Sequence, residues 1–396
     1  MSNSFYLIIY SNISKSTQKT NVSTLNYIKK FLNTDDKLYI VDARRIAFEN
    51  CSEDIYSFKN EGLNLIIINK TKDFFKLIKK NSYCFVDLNF KFCHFFLFFL
   101  IALKKQRLIF INNIGYFSQV PSSKPSINNF FEDCSYFITR YLSKLLTLLS
   151  IFPQVEFYFE SSQVLIDNLK NSKSYKLSKL PFLKKLFYYK NIIRINSKYY
   201  DEVANSEFKK KEKLIVYIDN GFDHPDRIIR DGKPDDSIRK KYFKQLSIFL
   251  KKIKVFYNLP VYFCYHPKSF IYEKNHYFYD FFKFCHFENN SEKYLSLASV
   301  AIFQISSLIN KAILMNKKII ITKSDLLGKY FNEKLIDLNK QVNLVNVDLD
   351  SSRNLNFEKL DQEILNKKNK YHFFINRNHI FKKNIKSFDQ IKLSLY

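Results

Sequence analysis

Three short signals in the second half of the chain combine residue types that can manage a phosphate and a proton: Asp219-Asn220-Gly221, His266-Pro267-Lys268 and Ser306-Ser307. A carboxylate can take a proton from an attacking hydroxyl, and an imidazole can give a hydrogen bond or a proton to a departing phosphate. Paired hydroxyls ahead of a helix add donors beside its free N–H groups and the positive end of its dipole. Each piece alone is commonplace, since Asp-Asn-Gly and His-Pro are usually turns and Ser-Ser is usually a helix cap. Their order and shared placement single them out.

The elements that must position these residues alternate strand and helix. Leu214 to Ile218 is a short apolar, β-branched run that stops at Asp219. Ser237 to Lys254 then sets Ile238, Tyr242, Leu246, Phe249 and Ile253 at helical spacing, and Leu259 to Tyr265 is a second apolar run that stops at His266. Ser299 to Phe303 predicts a strand, Leu308 to Asn316 a helix, and Lys318 to Thr322 a further strand. In open parallel α/β sheets ligands bind outside the carboxyl ends of the strands. A phosphate-handling site with a proton acceptor is therefore expected at this edge.

The three motifs resemble the set found in bacterial sialyltransferases and polysialyltransferases of the GT-B type: an acidic-acidic-Gly motif, then His-Pro, then Ser-Ser or Ser-Thr. The resemblance extends over Lys213 to Thr322, and here the second acidic position is Asn220, which leaves Asp219 as the carboxylate. It implies a GT-B-like α/β fold, with two Rossmann-like domains facing a central cleft. It also implies an inverting, metal-independent transfer of a nonulosonic acid from its CMP-activated form to a glycan acceptor of a capsule or lipooligosaccharide. No cofactor is implied beyond the CMP-sugar donor, which is a substrate. On this resemblance Asp219 is the base, and His266, Pro267, Ser306 and Ser307 bind the donor phosphate. Asn220, Gly221, His224, Asp226 and Lys268 are expected to bind the acceptor or to support the site; His224-Pro225-Asp226 itself resembles a His-Pro-Asp of surface-glycan transferases.

One other enzymatic reading and two non-catalytic ones compete. A GT-B transferase using a UDP- or GDP-hexose usually has acids near a ribose pocket, and no clean Glu pattern follows Ser307. A scaffold that keeps the fold and has lost its base is compatible with Asn220. A non-catalytic nucleic-acid-binding protein would suit the formal charge of +27, but its lysines should gather on one face. They are dispersed through nearly every segment, so no nucleic-acid partner is expected.

The first half repeats the strand–helix rhythm. Phe5 to Tyr10, Lys37 to Val41, Leu63 to Ile68, Cys84 to Val86 and Leu108 to Ile111 are apolar runs, with amphipathic stretches at Thr24 to Leu32 and Lys72 to Lys80. That alternation predicts a second parallel sheet. The expected organisation is an acceptor-side domain over 1–204, a nucleotide-sugar domain over 214–347, and a helical segment over 348–396 that crosses back to the first domain. The best linker by charge density is Asn205 to Lys213, and Ile192 to Ile195 and Val342 to Val347 are further strand candidates. The loop Asn112 to Tyr116 leaves a strand end, where an acceptor would be met.

Hydrophobic content of 46% over 396 residues excludes disorder and allows two sizeable cores. The six cysteines show no zinc spacing and read as buried thiols in a reducing compartment. Phe90 to Leu103 is the most apolar window, shorter than the roughly 18 to 20 residues a bilayer span requires. It reads as a buried helix, with an interfacial helix as the lesser alternative. Lys170 to Lys190 interleaves cations and aromatics and is expected to be a connecting segment with a solvated basic face, with contact to single-stranded nucleic acid or to an anionic membrane as the lesser alternatives. The N-terminus lacks the basic start of a signal peptide, so a cytoplasmic location, with peripheral contact at the inner membrane face, is expected.

Overall fold

The computed structural model describes residues 3–9, 25–47, 64–85, 94–113, 130–204, 213–219, 222, 232, 234–266 and 278–396. The chain divides into two units. The described residues of 1–113, 127–196 and 381–396 make the first, and those of 197–380 make the second.

The first unit holds a sheet of seven strands, β1 (Ser4–Ile9), β2 (Lys37–Asp42), β3 (Asn64–Ile67), β4 (Tyr83–Phe85), β5 (Arg107–Asn112), β6 (Val155–Glu160) and β7 (Tyr189–Arg194). Their order is β3-β2-β1-β4-β5-β6-β7, and every pairing is parallel. Parallel strands must be covered on both faces, which is why β1 and β5 are nearly continuous apolar runs. Side chains alternate between the faces. Tyr6, Ile8 and Leu108 meet Phe74, Leu97, Phe98 and Ile101 from the helices Thr71–Leu77 and Phe95–Leu103. Phe5, Ile109 and Phe159 meet Ile28 and Phe31 of the helix over 25–31, together with Ile391 of the C-terminal helix Ser387–Leu395. Asn196 ties that C-terminal segment down: its Nδ2 donates to the carbonyls of Lys382 and Ile385 at 2.8 and 2.7 Å, and its Oδ1 accepts from the Phe381 N–H at 2.6 Å.

The second unit holds six parallel strands, β8 (Ile215–Ile218), β9 (Val261–Cys264), β10 (His286–Glu288), β11 (Val300–Phe303), β12 (Lys318–Lys323) and β13 (Val345–Asp348), in the order β10-β9-β8-β11-β12-β13. Helix Asp236–Tyr257 buries Tyr242, Leu246, Phe249 and Ile253, as their spacing predicts, while Ile238 in its first turn stays exposed. Asp235 caps it by accepting the Ile238 N–H at 2.9 Å, and Asn258 ends it in the left-handed region at φ 50°.

Several elements differ from expectation. Strands β6 and β10 were not anticipated. β7 begins at Tyr189, because an edge strand can carry the exposed Lys190 and Asn191. Val342 ends the helix Lys329–Val342, which Asn343 stops at φ 56° before β13 starts. The most apolar window contributes the helix Phe95–Leu103, which buries Leu97, Phe98, Leu100 and Ile101. Among the described residues no helix is long and apolar enough to cross a membrane. The linker candidate over 205–212 lies outside the described residues.

Candidate functional site

In the second unit the chain lays down β8 first, adds β9 and β10 on one side, and then crosses to add β11, β12 and β13 on the other. The strand order therefore reverses between β8 and β11, and in doubly wound sheets such a switch point opens a crevice at the carboxyl edge. Ile218 is level with Cys264 on one side and Phe303 on the other. Asp219, Tyr265 and Gln304 thus leave the sheet at the same height, and the Asp219 N–H donates to the Cys264 carbonyl at 2.9 Å.

Four of the residues singled out by sequence come to this edge. Asp219 is buried, at 6% exposure, one residue beyond β8. His266 follows β9 and is half-buried, as are Ser306 and Ser307 beyond β11. Asn220, Gly221, His224, Asp226, Pro267 and Lys268 lie outside the described residues.

The two serines do different local work. Ser306 Oγ accepts the Leu308 N–H at 3.2 Å and closes the turn into helix Leu308–Leu314. Ser307 occupies the cap position without a side-chain cap bond, and its hydroxyl hydrogen-bonds the buried phenol of Tyr199. Burial pushes that phenol up to about 12, and the Ser307 bond pulls slightly against it. Four residues after Ser307, Lys311 is buried and bonds Glu202 Oε2 at 2.8 Å and Glu292 Oε2 at 2.9 Å. Desolvation lowers its ammonium pKa, but the bonds and charges of the two glutamates outweigh this, so the net shift is upward.

Three supports of the edge escaped the sequence reading. Tyr217 Oη on β8 lies 3.3 Å from Tyr242 Oη, which also receives the Gln304 amide, so a buried polar chain runs beneath the switch point. Gln304 Oε1 is buried with no hydrogen-bond partner among the described residues. Phenols at apolar positions of a strand and a helix were the readable signal, because a buried phenol needs a partner. Ser197, His379 and Asn310 form a second buried chain that reaches the Ser307 carbonyl. A cavity of about 320 Å³ continues the edge beyond β12 and β13; it is lined by Lys323, Ser324, Asp325, Asn332, Asn339 and Asp348, and Lys323 pairs with Asp348 at 3.2 Å.

At the carboxyl edge of the first sheet, Asn112 on β5 is level with Glu160 on β6. Glu160 is fully buried and accepts from Tyr158 Oη at 2.6 Å, Asn112 Nδ2 at 2.8 Å and the Ser162 N–H at 2.8 Å. Burial raises its carboxyl to about 7, against the pull of these donors. The run Val-Glu-Phe-Tyr-Phe-Glu, bounded by Pro153 and Ser161-Ser162, is the signal that would have found this strand.

No protein-family model matches the chain, and no curated protein sequence matches it. Solved structures do. The chain is similar to the UDP-GlcNAc 2-epimerase from Methanocaldococcus jannaschii, with 14% identity, 100% of this chain and 99% of that one covered, and a TM-score of 0.51. It also matches the glycotransferase of kitacinnamycin at 7% identity, covering 95% of each chain, with a TM-score of 0.48. The wall teichoic acid polymerase TagF matches at 10% identity, over 100% of this chain and 87% of that one, with a TM-score of 0.47. At these identities the likeness is one of fold. The fold is α/β and GT-B-like, built from two Rossmann-like units.

Proposed function

We propose that the chain is a glycosyltransferase that binds a nucleotide-activated sugar at the carboxyl edge of its second sheet. The observation that carries this is the meeting of Asp219, His266 and the Ser306-Ser307 turn beyond three neighbouring parallel strands that flank the switch point. Asp219 takes the proton of the acceptor hydroxyl as the acceptor oxygen bonds to the anomeric carbon. The carbon–oxygen bond to phosphate breaks, and its electron pair leaves with the phosphate. His266 donates to that phosphate, and the serine hydroxyls hold it. The order of the three motifs supports a CMP-linked nonulosonic acid as donor and a surface glycan as acceptor. A UDP-sugar donor is the second reading, favoured by the fold shared with the UDP-GlcNAc 2-epimerase.

A thermal-shift titration of wild type and His266→Ala with CMP, UDP, GDP and a short RNA tests this. A nucleotide at a hundred times its Kd stabilises by about 2.7 kcal/mol. Stabilisation by CMP, lost in His266→Ala, supports the CMP-sugar reading; stabilisation by UDP moves the donor to the second reading. Stabilisation by RNA alone ends the transferase reading.

A further inference from the structure

Over 138–149, helix Phe130–Leu148 of the first unit and the residue after it are amphipathic the wrong way round for a helix in water. Ile138, Tyr141, Leu145 and Leu149 recur at three- and four-residue intervals, so they form one stripe, and each is at least 50% exposed. Leu149 extends the last turn, its N–H bonding the Leu145 carbonyl at 2.9 Å. Thr139, Ser143 and Thr147, also four apart, lie on the other side and are 5% exposed or less. Thr147 Oγ1 satisfies itself on the Ser143 carbonyl at 2.8 Å. Leu146 packs against the core beside the hydroxyls, but the apolar row from Ile138 to Leu149 lies outside, whereas a helix that faces water shows the reverse. An apolar row some 16 Å long at 1.5 Å per residue stands open.

Cations fringe that row. The segment 173–186 packs beside the helix, with Lys144 Nζ donating to Ser174 Oγ at 3.1 Å. It exposes Leu177 and Leu180 together with Lys176, Lys179, Lys184 and Lys185. Between Asp167 and Asp201 the chain contains no acidic residue at all. The same helical layer includes Phe95–Leu103, which packs Phe95 edge-on against Phe152 and leaves Phe96, Phe99 and Leu103 partly exposed. An apolar row that lies along a surface, edged by long cationic side chains from an acid-free segment, is complementary to a bilayer with anionic headgroups. The leucines enter the acyl boundary while the lysines reach the phosphates.

We infer that this helical layer of the first unit docks on an anionic phospholipid surface, with the Ile138-to-Leu149 row inserted at the interface. Docking does not depend on which nucleotide the second unit binds. The chain has no tryptophan, so Leu145→Trp provides an emission probe free of background. With vesicles of equal parts phosphatidylcholine and phosphatidylglycerol, its emission should shift to the blue and be quenched by brominated acyl chains. Pure phosphatidylcholine should leave it unchanged.

In sedimentation with the same mixed vesicles, wild-type binding should weaken as salt is added. Lys184→Glu with Lys185→Glu should lower the partition by roughly tenfold or more, at about 1 kcal/mol per cation near the surface. Leu145→Asp should do so independently, and both changes lie on exposed side chains. The inference is overturned if wild type binds neither vesicle, or if its binding is unaffected by both variants. It is equally overturned if wild type ignores vesicles and forms a dimer that Leu145→Asp dissolves.

Discussion

His379 Nε2 lies 3.1 Å from Asn310 Oδ1, and the surrounding bonds fix the direction of this one. Ser197 Oγ accepts the Tyr200 N–H at 3.1 Å and has its own proton left for His379 Nδ1 at 2.8 Å. The imidazole proton therefore sits on Nε2 and is donated to Asn310, whose Nδ2 then donates to the Ser307 carbonyl at 3.2 Å. A residue close to the end of the second unit thus holds the turn that carries Ser306 and Ser307.

Asn310→Asp tests this chain with little change of shape. The carboxylate can still accept from His379, but it sets a second acceptor against the Ser307 carbonyl. With a buried charge added and a buried donor lost, the cost should be about 2–4 kcal/mol in urea unfolding. Affinity for the stabilising nucleotide should fall with it. A variant as stable as wild type would mean that the chain carries no weight.

Stability should respond to pH through two buried groups of opposite sign. Glu160 rises from 4.5 to about 7 on folding, because burial outweighs the donors to its carboxylate. The folded state then holds the extra proton, so this contribution is complete below pH 4.5 and is lost as pH rises towards 7. His379 falls from 6.5 to about 3 through burial, so its contribution is complete above 6.5 and is lost as pH falls towards 3. The two partly cancel between them. Glu160→Gln should expose the rise with pH that His379 causes, and His379→Gln should expose the fall that Glu160 causes. Unfolding free energies measured from pH 4 to 7.5 on the three proteins read this directly; parallel curves would refute it.

Much of the second unit was legible because its chemistry and its hydrophobic pattern agree. Asp219 and His266 each end an apolar run, and a run that ends in a charged or polar residue marks a strand's carboxyl edge without any tertiary information. The spacing of Tyr242, Leu246, Phe249 and Ile253 likewise gives a buried helix face. What stayed hidden depends on residues far apart in the chain. Nothing local tells Ser197 that His379 is its partner, 182 positions on. Strand β10 is three residues long and begins with an exposed His286, too short for alternation to register. The inverted stretch over 138–149 shows period but not direction, since periodicity cannot say which side faces the core.

The triad of Lys311 with Glu202 and Glu292 should behave as a buried cation with half-exposed partners. Its ammonium is largely enclosed, whereas the two carboxylates are 45% and 57% exposed at the side chain. Glu292→Gln should cost less than about 1 kcal/mol, because the remaining glutamate keeps the cation paired and solvent screens the lost charge. Glu202→Gln combined with Glu292→Gln should cost about 3–5 kcal/mol by leaving the cation buried and unpaired. Lys311→Met in that double variant should recover most of the loss. Additive single costs in a chemical-denaturation cycle would show that the pairing is not shared.

Tyr242 is the shared partner of Tyr217 and Gln304, so phenol removal beneath the switch point should be strongly non-additive. Tyr242→Phe removes the hydroxyl that Tyr217 and Gln304 share, and each buried bond lost costs about 1–3 kcal/mol. Tyr217→Phe removes one end and leaves the Tyr242–Gln304 bond in place, so it should cost about 1 kcal/mol. Once Tyr242 is Phe, the Tyr217 hydroxyl has lost the bond it made to Tyr242, and Tyr217→Phe should then cost less than it does in the wild type. Urea unfolding of the two single variants and the double variant measures the coupling. A coupling energy within about 0.5 kcal/mol of zero would show that the two phenols stabilise the edge separately.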